Sequence, residues 1–99
     1  MSITKEIIER VAVDAGITID ELTVSGFIAF LREKRRKIML ERIDILTRYS
    51  AESTEDLEKK IRDGEISEHP AWEDLIRLEN LESVILRIDD DIKLIQESS

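Results

Sequence analysis

Three groups of side chains have types and spacings that could do chemistry. They are the basic run Arg32-Glu33-Lys34-Arg35-Arg36-Lys37, the motif His69-Pro70-Ala71-Trp72-Glu73-Asp74, and the triplet Asp89-Asp90-Asp91. The basic run places five cations in six residues, a composition that suits phosphate, nucleic acid or an acidic protein surface. On a helix, however, six consecutive residues wrap the whole circumference, so no single groove-reading face emerges, and no aromatic side chain interleaves the charges. The expectation is therefore a collar paired to acidic side chains, in the same chain or across a dimer. Phosphate or acidic-partner contact through Arg32, Lys34, Arg35, Arg36 and Lys37 is the alternative. The His69 motif suggests a metal or acid–base site, but a zinc site needs three or more protein ligands rich in nitrogen or sulfur. The chain has one histidine and no cysteine. The motif reads better as a helix start, with Pro70 in the first turn, Glu73 and Asp74 at the positive end of the dipole, and Trp72 as an anchor. Consecutive aspartates on a helix point about 100° apart and do not make one chelate, and no EF-hand loop is present. No G-x-S-x-G, phosphate-binding loop or dinucleotide fingerprint occurs. No catalytic, cofactor-binding or metal-binding residue is expected, and the chain reads as a non-enzyme without a cofactor.

The elements that position these groups are helices. The longest is expected over 19–49. Thr18 caps its first turn, with Glu21 reaching back three residues later, and Ile17 and Leu22 form a hydrophobic staple. Apolar residues recur at Val24, Ile28, Leu31, Ile38, Ile45 and Tyr49, interrupted only by the basic run. Gly26 costs about 1 kcal/mol against alanine inside a helix; beside Ser25 and Ala29 it makes a flat spot where another helix backbone can approach. A first helix over about 3–15 carries Ile3, Ile7, Ile8, Val11 and Ala15 on one face and stops at Gly16. It is too short to stand alone and must dock on something. A short helix over 54–63, capped by Ser53, offers only Leu57 and Ile61 and looks like a clip rather than a core element.

The fourth helix, over about 70–97, has the most regular pattern. Leu78, Leu81, Ile85, Ile88, Ile92 and Ile95 alternate steps of three and four as a heptad seam does. Trp72, Leu75, Ile76, Val84, Leu86 and Leu94 widen that surface, and isoleucine at both seam positions favours more than two helices around it. The second and fourth helices pair antiparallel with the third as the turn. Equal steps back from a Tyr49–Trp72 meeting then put Arg32 level with Asp89. The fold class is all-α, with two long and two short helices in a single domain over 1–99, completed as an intersubunit bundle. Gly26, Leu31, Ile38, Ile45, Trp72, Leu78, Leu81, Ile85, Ile88, Ile92 and Ile95 are expected at the oligomer or partner interface.

Bulk composition narrows the class further. The net charge of −8 is uneven: residues 1–51 hold nine basic and eight acidic side chains, and residues 52–99 hold six and fifteen. An acidic chain argues against tight nonspecific nucleic-acid binding and suits a basic partner. With four aromatic residues, the core must come from isoleucine and leucine. Ninety-nine residues bury a modest share of their surface, so oligomerisation is a source of extra core. No run of about 18 apolar residues exists, and no apolar stretch follows Lys5, so neither a membrane span nor a signal peptide is expected and the location is read as cytoplasmic. High Glu, Lys and Arg with one Asn, one Gln and no Cys is the bias of hyperthermophile proteins.

Residues 7–31, IIERVAVDAGITIDELTVSGFIAFL, resemble the two-helix part of ribbon-helix-helix proteins: a helix, a glycine turn, a capped helix. Residues 37–88, from Lys37-Ile38-Met39-Leu40 through LEKKI and the Trp72 segment to Ile88, resemble small, largely uncharacterised archaeal helical proteins and the antitoxin-like members of toxin–antitoxin pairs. A ribbon-helix-helix protein reads DNA with a strand before its first helix, and only Met1-Ser2-Ile3-Thr4 stands there. The resemblance therefore implies helices used for association, not operator binding. The function expected is an antitoxin-like helical oligomerisation and protein-interaction module: a homo-oligomer, dimer or higher, whose acidic C-terminal half receives a toxin-like protein. The second expectation is a nucleic-acid-binding autoregulator acting through residues 32–37.

Overall fold

Capping chemistry sets the helix boundaries. In the computed structural model, which describes residues 2–98, α1 spans Lys5–Ala15, α2 Ile19–Arg48, α3 Thr54–Arg62 and α4 Glu68–Ser98. Met1 and Ser99, the ends of the expected domain, lie outside the described residues. The Thr4, Thr18 and Ser53 hydroxyls accept from the N–H groups of Ile7, Glu21 and Asp56, and each satisfies one of the donors a helix leaves free at its start. Gly16, at φ 72°, ends α1 in the left-handed conformation that costs glycine least. At the far end of α2, Ser50 takes φ 52° and the Ala51 N–H donates back to the Leu46 carbonyl at 2.9 Å. Backbone at His69 is non-helical (φ −113°, ψ 125°), so the regular run of α4 begins at Pro70, as expected. The architecture is all-helical, with four helices and no strand among the described residues.

The core sits at one end of the molecule. Ile45 and Leu46 of α2, Leu57 and Ile61 of α3, and Ala71, Leu75, Leu78 and Leu81 of α4 form one buried cluster, edged by Ile38, Tyr49, Ala51 and Ile66. The third helix is thus more than a clip. Leu57 is fully buried, because α3 folds its two-residue apolar face into the fork between α2 and α4. Burying one such leucine contributes about 2 kcal/mol, which is how a helix of nine residues persists here although it would not in isolation.

Polar contacts set the register of the long pair. Arg35 Nε donates to Asp89 Oδ1 at 2.7 Å, and seven residues along each helix Arg42 Nε donates to Glu82 Oε2 at 3.3 Å. Tyr49 donates its phenolic hydroxyl to Asp74. Asp89 therefore meets Arg35 and not Arg32, a slide of about one turn from the equal-step expectation. The slide begins at the turn, where Tyr49 lies against Asp74 instead of Trp72. Each helix advances 1.5 Å per residue, so the pairing runs α4 out level with about residue 26 of α2. Beyond that level stand only the first turns of α2 and α1, which packs on α2 through Ala12.

The result is a rod of 61 × 28 × 19 Å with a radius of gyration of 19.6 Å. A compact chain of this length has about 13 Å.

Candidate functional site

The seam of α4 is largely consumed within the chain. Leu78, Leu81, Ile85 and Ile88 are buried, as is Ile45 opposite them, while Leu31, Ile38, Ile92 and Ile95 are half-covered. Of the residues expected at an interface with another chain, these buried five offer no free surface. Gly26 and Trp72 do. A β-carbon built at Gly26 meets nothing within 4 Å, so the flat spot receives no helix of this chain. Trp72 is 49% exposed, because Ala71 and Leu75 take the core-facing side of that turn and Asp74 takes the expected place beside Tyr49.

Apart from Leu40 and Ile43, midway along α2, the exposed large apolar residues fall into two groups. On the outer face of α4, Trp72, Ile76, Leu86 and Leu94 follow helical spacing, opposite the buried seam. Around the N-terminal third of α2 stand Ile19 (38% exposed), Phe27 (57%) and Phe30 (65%), with Ile7, Val11 and Val13 exposed on α1 and Ile3 exposed just before it. An open groove of about 810 Å³ lies where α4 ends; its floor is Val24 and Phe27, its side wall Leu94 and Ile95, and its rim Asp20 and Glu21. Sequence reading missed Phe27, Phe30 and Leu94 as surface residues. The signal was present: Ile19, Thr23, Gly26–Phe27 and Phe30 follow steps of three and four along α2, and Phe27, in line with Ile38 and Ile45, stays exposed because α4 ends at its level.

The basic collar divides into paired and unpaired cations. Arg35 bonds Asp89, which raises its pKa above the ordinary guanidinium value, first through the hydrogen bond and then through the nearby charge. Arg36 bonds Glu33 at 2.8 Å along its own helix and so holds that carboxylate below its usual range. Arg32, Lys34 and Lys37 make no ion pair with another described residue. On α4 the same holds for Asp90 and Asp91, whose neighbour Asp89 takes the single cross-helix bond.

Two polar contacts not foreseen from the sequence brace the core end. Glu82 accepts from both Arg42 and the buried Thr54 hydroxyl, the latter at 2.6 Å, tying α2, α3 and α4 together. The Tyr49 hydroxyl is pushed up to about 12 by burial, and then by its bond to Asp74 and that group's charge. His69 lies in the open, 3.6 Å from Glu73, and no group of three or more metal-ligating side chains gathers among the described residues. No helix among the described residues is long and apolar enough to cross a membrane.

A family model, that of the uncharacterized protein MJ0235 family, matches residues 1–98. The chain belongs to this family. A family of uncharacterised proteins spanning the whole rod fits the likeness to small uncharacterised archaeal proteins drawn from residues 37–88, and it covers the N-terminal arm as well. Neither the curated proteins nor the solved structures yield a match.

Proposed function

We propose that the chain is a non-catalytic, self-associating helical module of antitoxin-like type, whose acidic second half receives a basic protein partner. One observation carries the self-association. The chain exposes 7427 Å², whereas a compact monomer of this mass exposes about 5,800 Å². The excess of about 1,600 Å² per chain is the area that a large, permanent interface removes from each partner. Thirteen large hydrophobic side chains stand exposed along the rod, and covering part of them against a second chain removes apolar surface from water. The partner reading rests on charge. Residues 52–99 carry nine more acidic than basic groups; six of that surplus lie on α4 and three, Glu52, Asp63 and Glu65, flank the charge-balanced α3, where they steer a basic surface towards them.

Sedimentation equilibrium from high to sub-micromolar concentration tests the first part. A dimer or higher oligomer with melting that falls on dilution is expected, and a monomer with concentration-independent melting sinks the reading. For the partner, a small basic nuclease-like protein encoded by an adjacent gene is expected to be bound and neutralised by the chain. A second reading, nucleic-acid binding, is favoured only by the unpaired cations Arg32, Lys34 and Lys37. It requires salt-dependent retardation of DNA or RNA that Lys34→Glu with Lys37→Glu abolishes.

A further inference from the structure

We propose that a second copy of this chain is seated antiparallel along the N-terminal third of α2, with the two-fold axis passing close to Phe27. This rests on the self-association just proposed and adds its surface and its symmetry. Three observations converge on that place. First, the stripe Ile19, Thr23, Gly26–Phe27 and Phe30 runs along one exposed side of α2, with helical spacing and no covering element. Second, α4 ends level with this stripe, so Leu94, 63% exposed, adds a third large apolar side chain at the height of Phe27 and Phe30. Third, the charges beside the stripe are self-complementary. Asp20 and Lys34 lie on the same flank, seven residues to either side of Phe27, and neither has an ion pair within the described residues.

In a two-fold antiparallel pair, residue 27 − n of one helix stands beside residue 27 + n of its mate, and groups on the same flank face each other. Phe27 then stacks on its own counterpart, and Phe30 lies over the shallow Thr23–Gly26 surface of the other copy. Lys34 meets Asp20, twice.

Because the chain has no cysteine, Phe27→Cys tests the axis directly. Residue 27 lies at the symmetry axis, so mild oxidation is expected to cross-link the copies rapidly and nearly completely. Leu86→Cys, exposed and distant from the axis, is expected to give little. A symmetric charge swap supplies the second arm. Asp20→Lys alone and Lys34→Asp alone are each expected to weaken self-association about ten-fold or more in sedimentation equilibrium, and the double variant to recover it. Helicity is expected to stay unchanged, since both side chains are exposed. If the unaltered chain associates but Phe27→Cys cross-links no faster than Leu86→Cys and the swap has no effect, the seating proposed here is overturned while self-association stands. If the unaltered chain is a monomer, both fail and the face belongs to a different protein.

Discussion

Tyr49, the chain's one tyrosine, is half-buried at the edge of the core. Its hydroxyl donates to Asp74 beneath Arg48, and its pKa stands at about 12 against about 10 when unfolded. The native state thus holds the phenolic proton more tightly than the unfolded chain. This contribution to stability is complete below about pH 10 and is lost as pH rises towards 12. Tyrosinate absorbance near 295 nm is expected to rise with a midpoint close to 12 in the folded protein and near 10 in denaturant. A midpoint of 10 in the native protein would remove Tyr49 from its place against Asp74. The signal for this contact was in the sequence, as an aromatic residue with a polar tip closing an apolar stripe. Its partner was not legible, because the choice among Trp72, Glu73 and Asp74 depends on how a twenty-residue turn is folded. Gly26 shows the same limit from the other side. Its small size marks close approach, but composition does not say whether the approaching backbone is the chain's own.

At the scale of elements, the helix boundaries were legible nearly to the residue, because hydroxyl caps at Thr18 and Ser53 and the glycine stop at Gly16 act locally. The Leu78–Leu81–Ile85–Ile88 seam was legible for the same reason: heptad spacing is a property of one helix. What escaped was the fit between helices. A slide of one turn in the α2–α4 pairing conserves every local pattern, and cross-helix contacts such as Arg35–Asp89, Arg42–Glu82, Tyr49–Asp74 and Arg77–Glu41 distinguish one register from the next. The weight of α3 was underread because two apolar residues in nine look insufficient, until both prove to lie in the fork between the long helices. Leu57→Ala is expected to cost about 2–5 kcal/mol in urea unfolding. A cost below about 1 kcal/mol would return α3 to the role of a clip.

Across the whole molecule, stability is graded along the rod. The buried cluster, the Glu82 bridge and the ties Arg42–Glu82, Glu41–Arg77 and Tyr49–Asp74 between α2 and α4 lie in the core half, whereas α1 rests on α2 with Ala12 its one buried residue. Local opening follows buried contact. Backbone amides of α1 and the first two turns of α2 are expected to exchange fastest in dilute protein, and those around Leu46, Leu57 and Leu78 slowest. Raising the concentration through the association range is expected to slow exchange in the arm alone. Uniform protection from end to end would contradict a core gathered at one end. The candidate surface was only partly legible for this reason: exposure of Phe27 and Phe30 is a consequence of where α4 stops, a fact about the whole chain.

The 61 Å length of the rod has a consequence for valency. Two rods joined antiparallel near one end point their core halves in opposite directions. With 1.5 Å of rise per residue from Phe27 to Arg48 on each side, the two Tyr49 ends stand roughly 60 Å apart. Each end carries its own acidic start of α4, with Glu68, Glu73 and Asp74, so the assembly would present two equal docking places at a fixed separation on a stiff spacer. A partner that is itself paired, with basic faces at that spacing, would gain by effective concentration what a single contact lacks. A partner of different span would be held one end at a time.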